Sequence, residues 1–258
     1  MKILMIGDIV GECGTAYIRN NLDRIRTELK ADMIIANGEN AAKGNGLDIE
    51  TAEILFSAGV DVITSGNHIW NKFEMPKRID DYPNILRPQN YPGECPGNGY
   101  VIFNASNTKV LVLSLLGCVY MDALASPFEC AKRILEREKG NYDISVIDFH
   151  AEATSEKAAL AYYLDGTVNA VVGTHTHVQT NDAKLLPCGT AFITDLGMTG
   201  AEESILGVKK ECILYKFLTH MPTRFEQAEG KVRFCGALIT VDNATYKTNS
   251  IEAITYLE

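Results

Sequence analysis

The sequence lacks the features of disordered, membrane-spanning and secreted proteins. Only 8 of its 258 residues are proline, and 46% are hydrophobic against 22% charged, so the chain can bury a sizeable core. No apolar run approaches the roughly 18 residues that a membrane span needs. The apolar start of the chain meets a carboxylate at Asp8, too soon for the apolar region of a signal peptide. We therefore expect a folded, cytoplasmic protein.

Paired cysteines and an excess of basic residues are missing as well. The seven cysteines are an odd number without a CxxC pair, which fits neither a disulfide framework nor a zinc ribbon. The net charge of −9 argues against a broad nucleic-acid surface. We expect no DNA and no membrane partner; association with RNA has no support from the charge, and a homo-oligomer is left open. A small anionic substrate would need local positive charge, most simply from metal ions.

Short apolar strands alternate with helical patterns along the chain. The spacing of apolar residues predicts strands at 2–6, 32–36, 60–64, 110–114, 144–149, 168–172, 191–194, 232–241 and 251–256, and helices at 14–29, 48–59, 154–164 and 203–219. Asp48 is predicted to cap the second of these helices. Five prolines mark an irregular loop at 76–99. This order predicts an α/β fold, and α/β folds often use about 250 residues as one unit, so we expect a single domain over residues 1–258.

Polar side chains capable of binding metal follow these short strands. They are Asp8, Glu39, Asn40, Asn67, His68, His150, His175 and His177. Four of the five histidines belong to this set, and only His220 lies outside it. Open α/β sheets place their active sites at the carboxyl ends of their strands, so we expect these side chains to converge.

Carboxylate, amide and imidazole groups are ligands of divalent transition metals, and this set is large enough for two ions. Paired metals about 3.5–4 Å apart clamp a phosphoryl group and generate hydroxide at neutral pH. The residues therefore predict a dinuclear centre that hydrolyses a phosphoric ester, with a metal-bridging hydroxide as the nucleophile. The oxygen-rich donor set favours Fe or Mn over Zn.

The ordered motifs GD, GE, GNH, a lone strand-end histidine and GTHTH resemble the signature of the calcineurin-like metallophosphoesterases over residues 8–177. The segments 7–11, 37–42, 64–68, 148–157, 178–180 and 193–200 resemble more closely the bacterial YmdB-like branch of that superfamily. The resemblance implies a four-layer α/β/β/α sandwich. It also implies a phosphodiesterase acting on small cyclic nucleotides such as 2′,3′-cyclic AMP.

Two positions depart from the superfamily pattern. Val10 stands where a metal-binding histidine is expected, and Glu39 replaces the usual bridging aspartate. Because an apolar side chain cannot bind metal, one ion would lack a ligand. Asn40 is the natural replacement, as the resemblance also implies, although it could instead only shape the loop.

The motifs divide the donors between two ions. We predict that Asp8, Glu39, Asn40 and His177 bind one metal and that Glu39, Asn67, His150 and His175 bind the other. His68 follows a ligand and, by resemblance, is the general acid that protonates the leaving oxygen. The alternative for His68 is a donor that only positions the phosphate.

Several roles stay open on the sequence alone. Glu152 could orient a metal ligand or simply begin a helix, and Arg87 could reach a phosphate or lie in solvent. The glycines at 44 and 46 lack a P-loop or dinucleotide-binding context, so neither ATP nor a dinucleotide is expected. Alternative functions are a phosphomonoesterase or nucleotidase, and a metal-stabilised regulatory protein associated with RNA.

Overall fold

The computed structural model describes residues 1–258. In chain order the strands are β1 (Lys2–Ile6), β2 (Asp8–Ile9), β3 (Met33–Asn37), β4 (Val62–Thr64), β5 (Tyr100–Ala105), β6 (Thr108–Leu116), β7 (Ile144–His150), β8 (Ala170–Thr174), β9 (Lys184–Leu185), β10 (Ala191–Ile193), β11 (Met198–Ala201), β12 (Val232–Val241) and β13 (Thr248–Leu257). The helices are α1 (Gly11–Leu29), α2 (Ile49–Ser57), α3 (Met75–Arg78), α4 (Pro127–Arg137), α5 (Thr154–Tyr163) and α6 (Lys210–Thr219), with a short 3₁₀ helix at Ile79–Asp81.

These strands form two sheets. The first has the order β2-β11-β12-β1-β3-β4, with β13 paired to β12, and the second has the order β5-β6-β7-β8-β10-β9. Strands β1, β3 and β4 are parallel to one another, as are β6, β7, β8 and β10. The parallel strands of each sheet therefore end together at one edge, where polar side chains can meet.

Alternate residues of each strand enter different cores. Ile3 of β1 lies between the two sheets with residues such as Val112 and Val146, whereas Leu4 faces Ile18 of α1. A third core fills the space between the second sheet and helices α4 and α5. Because successive side chains of a strand point to opposite faces, one apolar run can serve two cores. This layering confirms the predicted α/β/β/α sandwich.

Most predicted elements are present, with shifts of a few residues at their ends. The side chain of Asp48 accepts a hydrogen bond from the Thr51 amide at 2.9 Å, which confirms it as the cap of α2. The predicted helix at 203–219 is wrong in its first part, because α6 begins only at Lys210. Ile205 and Val208 exchange backbone hydrogen bonds across Leu206 and Gly207, which form a tight turn instead.

Some elements escaped the sequence pattern. Strand β5 and helix α4 were not predicted, and the segment expected to be irregular at 76–99 begins with most of α3 and the 3₁₀ helix. Helix α4 carries a recognisable cap, since the Ser126 hydroxyl accepts a hydrogen bond from the Glu129 amide at 3.4 Å. None of the helices combines the length and apolarity needed to cross a membrane.

Candidate metal centre

The strand ends bring every predicted metal ligand to one edge of the molecule. Asp8 begins β2, one residue after the end of β1, Glu39 and Asn40 follow β3, and Asn67 follows β4 in the first sheet. In the second sheet His150 ends β7, and His175 and His177 follow β8. Asp8, Glu39, Asn40 and His150 are at most 2% exposed. The two sheets therefore share one buried polar cluster at the end of the core between them.

Three donor atoms converge on one ring nitrogen of His150. Its Nε2 lies 3.1 Å from Oε1 of Glu39, 3.2 Å from Oδ1 of Asn67 and 3.0 Å from Nδ1 of His175. Donor atoms of Glu39, His150 and His175 all lie within 4.8 Å of one another. This grouping matches the set predicted for the second metal.

The remaining donors gather around Asp8. Its Oδ1 is buried and has no hydrogen-bond partner, while Nε2 of His177 lies 3.6 Å away. The amide nitrogen of Asn40 lies 3.4 Å from the same ring nitrogen and 3.0 Å from Oε1 of Glu39. A buried carboxylate oxygen without a donor is costly unless a cation neutralises it, so the residues present fit a metal ion here.

The amide of Asn40 faces the cluster with its nitrogen. Its Oδ1 instead lies 2.8 Å from Nδ1 of His68. Ligation requires the oxygen to face the ion, because an amide nitrogen is a donor only. A half-turn of the amide would place the oxygen beside Glu39 and His177, and the predicted role of Asn40 depends on that orientation.

The cluster holds negative charge that calls for a cation. Burial opposes ionisation of Glu39, but His150 and His68 outweigh it and hold the pKa of Glu39 well below its usual range. Burial also opposes protonation of His150, yet Glu39 and Asp8 raise the pKa of His150 to about 9. Burial and the neighbouring His150 lower the pKa of His175 to about 4, which keeps that ring neutral. A bound cation can take the place of the proton on His150.

Each histidine that is predicted to bind metal has a hydrogen-bond partner on the ring nitrogen that faces away from the cluster. Nδ1 of His150 lies 3.0 Å from Oγ1 of Thr174, whose hydroxyl donates to Asp148 at 2.7 Å. Nδ1 of His177 lies 3.1 Å from the carbonyl oxygen of Leu206. Such partners fix which ring nitrogen is free to bind metal.

Glu152 holds the ring of His175 in the same way. Its Oε2 lies 3.1 Å from Nε2 of His175, while Nδ1 of that ring faces His150. Glu152 precedes α5 without capping its amides. Of the two roles left open by the sequence, the geometry therefore favours orientation of a metal ligand.

His68 lies at the opening of the cluster and is 31% exposed. Its backbone amide donates to Oε2 of Glu39 at 3.1 Å, and its Nδ1 is placed to donate to Asn40. It lines a cavity of about 280 Å³ together with Glu39, Asn40, Glu152, His175, Thr176, His177 and Leu206. With Nδ1 engaged, the proton available to a substrate is the one on Nε2.

The glycine of the SGNH motif is required by the crowding of this site. A Cβ on Gly66 would lie 2.2 Å from Cδ2 of His150 and 2.5 Å from Oε2 of Glu39. No larger residue could therefore bring Asn67 and His68 so close to the ligands of both sheets.

Comparison with known proteins identifies the family. The model of the YmdB-like protein family matches residues 4–254. The chain belongs to the YmdB-like family. A relative from Bacillus subtilis (strain 168), named 2′,3′-cyclic-nucleotide 2′-phosphodiesterase, is 45% identical over 254 residues, which are 98% of this chain and 96% of the relative.

Solved structures of similar proteins share the whole YmdB-like fold. A hypothetical protein from Thermus thermophilus superimposes with a TM-score of 0.95 at 41% identity, and the match covers 100% of both chains. A protein from Mycoplasma pneumoniae, described as a novel phosphatase, gives a TM-score of 0.93 at 33% identity, covering 100% of this chain and 93% of that one. The predicted membership of the YmdB-like branch is confirmed.

One candidate from the sequence lies away from the YmdB-like site. Arg87 is 5% exposed, so it neither lies in solvent nor reaches a phosphate. Its guanidinium donates to the carbonyl oxygens of Pro88 at 2.9 Å, Pro96 at 3.1 Å and Cys95 at 3.4 Å. The proline-rich loop folds around this side chain, and both interpretations of Arg87 from the sequence are wrong.

Sequence reasoning missed the buried pair behind the histidine loop. Nζ of Lys157 lies 2.7 Å from Oδ2 of Asp195, and the same oxygen accepts the Thr176 amide at 3.1 Å. Thr176 stands between His175 and His177, whose φ angles of 101° and 64° are unusual for residues other than glycine. Both Lys157 and Asp195 lie in segments already singled out by resemblance, but only the fold shows that they meet.

Proposed function

We propose that this protein is a metal-dependent phosphodiesterase that opens 2′,3′-cyclic nucleotides to nucleoside monophosphates. The observation that carries the proposal is the convergence of Glu39, Asn67 and His175 on Nε2 of His150, next to the unpartnered Oδ1 of Asp8. An enzyme of the phosphodiesterase class was predicted from the sequence. The identity of 45% across nearly the whole chain with a named phosphodiesterase confirms it.

The proposed ligand sets are those of the sequence analysis. Asp8, Glu39, Asn40 and His177 would hold one divalent ion, and Glu39, Asn67, His150 and His175 the other. When bound, two such ions supply an activated water molecule and positive charge for the phosphate oxygens. Fe or Mn is favoured over Zn because carboxylate and amide oxygens make up much of the donor set.

His68 is proposed as the general acid. Nδ1 of His68 faces Oε1 of Glu39 at 3.2 Å whichever way the Asn40 amide is turned, so Nε2 can carry a proton toward the cavity. In the imidazolium form that proton can pass to the ester oxygen that leaves the phosphorus. The ring keeps its orientation because its own backbone amide is tied to Glu39.

The substrate class is supported by the size and charge of the site. The cavity has a volume of about 280 Å³, and the net charge of −9 argues against a long basic groove for a polymeric substrate. A five-membered cyclic diester holds both ester oxygens close to one phosphorus and can enter such a cavity. The name of the Bacillus subtilis relative specifies the 2′ ester, so we propose cleavage at O2′.

The location and the extent of the domain also belong to the proposal. All seven cysteines are free thiols, which suits a reducing cytoplasm. Residues 1–258 would form one metallophosphoesterase domain, because the core between the sheets draws on residues from Ile3 to Ile251.

Hydrolysis of 2′,3′-cyclic AMP by protein loaded with Mn²⁺ tests the function. Chromatography of the products should show adenosine 3′-phosphate, and further release of inorganic phosphate should be much slower. The same assay with chelator is the control for metal dependence. Rapid release of phosphate from adenosine 3′-phosphate, without opening of the cyclic diester, would establish a nucleotidase instead.

A further inference from the structure

A tight turn beside the metal centre contains an unfavourable residue. Ile205 and Val208 exchange backbone hydrogen bonds of 2.9 and 3.0 Å, so Leu206 and Gly207 are the two central residues of a hairpin turn. Their φ angles are 54° and 86°. Two positive φ angles define a type I′ turn, whose first central position is normally Asn, Asp or Gly. The Cβ of a leucine is disfavoured in this left-handed conformation.

The surroundings fix the turn in place. The amide of Gly207 donates to Oγ of Ser204 at 3.0 Å, and a Cβ on Gly207 would lie 2.4 Å from Cγ1 of Val10. The carbonyl oxygen of Leu206 holds Nδ1 of His177 at 3.1 Å. Any residue at position 206 could supply that carbonyl, and asparagine or glycine would do so without strain. The contacts of the backbone at position 206 therefore do not explain why the residue is a leucine.

Leu206 adds a hydrophobic side chain to a cavity that is otherwise lined by polar residues. It is the one hydrophobic residue among the eight that line the cavity, and it remains 48% exposed. The other seven present carboxylates, an amide, imidazoles and a hydroxyl. A leucine in this left-handed position leaves about half of its side chain exposed, so it gives up much of the stabilisation that full burial would provide. Strain kept at a functional site points to a role in function.

We propose that Leu206 is a specificity-determining residue whose side chain packs against the nucleobase of the substrate. The inference rests on the proposed function, because it assumes that a nucleotide phosphate occupies the metal centre. The polar groups bind the phosphate, which all phosphoric esters share. The apolar face of Leu206 adds the contact that distinguishes a nucleotide from a diester without a base, since apolar contact is favourable and needs no polar partner.

The test compares substrates with and without a base. In Leu206→Asn and Leu206→Gly the ratio of kcat/KM for 2′,3′-cyclic AMP to that for glycerol 1,2-cyclic phosphate should fall on the order of tenfold. The loss should appear mainly in KM. Leu206→Met should keep the ratio near that of the wild type, because it restores apolar contact.

Two further measurements do not depend on catalysis. The affinity for adenosine 3′-phosphate relative to glycerol 1-phosphate, measured by calorimetry, should fall by the same factor. The Tm of the metal-free protein should rise by roughly 2–4 °C in Leu206→Asn, because asparagine tolerates the left-handed conformation. A residue that served only the fold would instead lower the Tm when replaced.

Tyr246→Asn is the matched control. Tyr246 also has a left-handed φ of 54°, but it lies in the β12–β13 turn, and its carbonyl meets Asn169 just before β8, at the end opposite the metal centre. This variant should raise the Tm and leave both ratios unchanged. Unchanged ratios in Leu206→Asn and Leu206→Gly would overturn the inference. If the wild type opens neither cyclic diester, the proposed function fails, and the calorimetric ratio still decides the role of Leu206.

Discussion

At the scale of single residues, the site depends on which nitrogen each histidine presents. Thr174 holds Nδ1 of His150, whereas Glu152 holds Nε2 of His175, so the two rings present opposite nitrogens to the same point. The sequence shows five histidines but not their tautomers. Hydrogen bonds from behind decide the tautomer, and so decide which atoms can bind metal.

Replacement of His68 separates catalysis from metal binding. His68→Gln and His68→Ala should lower kcat by on the order of 10²–10⁴, because the proton on Nε2 is lost. The metal content, measured by elemental analysis, should stay near that of the wild type. His220→Asn is the control, since His220 ends α6 in a left-handed conformation that asparagine tolerates and lies outside the cavity. Loss of metal in proportion to activity would make His68 a ligand.

Replacement of Glu152 tests the orientation of His175. Glu152→Ala should weaken binding of the second metal by roughly 10–100-fold, because Nε2 of His175 loses its acceptor. Glu152→Gln should recover most of the affinity, since its amide oxygen can accept the same hydrogen bond. Competition with a chelator measures the metal affinity of both variants. The exposed Glu129→Ala serves as the control, and equal affinity in Glu152→Ala and wild type would leave Glu152 without this role.

At the scale of elements, helix α5 supports the loop that carries His175 and His177. It places Lys157 in the core, fully buried, where the ammonium group pairs with Asp195. Asp195 follows β10 and holds the amides of Thr176 and Gly197 at 3.1 and 2.8 Å. Lys157 of the helix and Asp195 after the strand thus hold the loop in place. In this loop His175 and His177 keep the left-handed backbone conformation that residues other than glycine normally avoid.

Removal of the Lys157 charge should be costly for the fold. Lys157→Met leaves the carboxylate of Asp195 buried without its cation, and breaking a buried pair lowers the free energy of unfolding by about 3–5 kcal/mol. Chemical denaturation measures the loss. Lys132→Met, at a residue 60% exposed on α4, should change little. Similar stability of the two variants would show that Asp195 does not need its partner.

At the scale of the whole molecule, the proposed metal centre would tie the two sheets together. Its proposed ligands come from both sheets, so ions bound there would add a further link to the apolar core and to the side-chain hydrogen bonds, such as that from Thr64 to Asp148, that join the sheets. Two divalent ions against the charges of Asp8 and Glu39 leave a local excess of about two positive charges. That excess would allow a chain of net charge −9 to attract a phosphate.

Metal removal should therefore lower stability as well as activity. A ligand that binds only the folded state at 100 times its Kd adds about 2.7 kcal/mol to the free energy of unfolding. For a chain of this size, that corresponds to a fall in Tm of roughly 5–10 °C after chelation. Calorimetry of the metal-loaded and the metal-free protein measures this difference in Tm. Elemental analysis of the loaded protein should find about two ions per chain. Asp8→Asn should show a smaller shift, whereas equal Tm values with and without metal would contradict the bridging role.

The sequence determined the elements whose pattern is local. Strand β1 and the cap of α2 at Asp48 were predicted because a short apolar run and a capping side chain are both features of neighbouring residues. Strand β5 was missed although it pairs with β6 through a two-residue hairpin turn; its residues are mostly half-exposed. The start of α6 was placed too early because the turn at Leu206 and Gly207 depends on its docking against Val10.

For the site, the sequence alone determined which residues can bind metal. The order of the motifs and the donor atoms of their side chains can be read directly from the sequence. In an α/β sheet the carboxyl ends of parallel strands lie at one edge, so these side chains can be expected to meet. The tertiary structure decided what faces what: the acceptor that Glu152 offers His175, the carbonyls that enclose Arg87, and the buried Lys157 and Asp195 pair. These contacts join residues from different elements. Distance and dielectric environment at such contacts arise only when the sheets pack, so no local pattern encodes them.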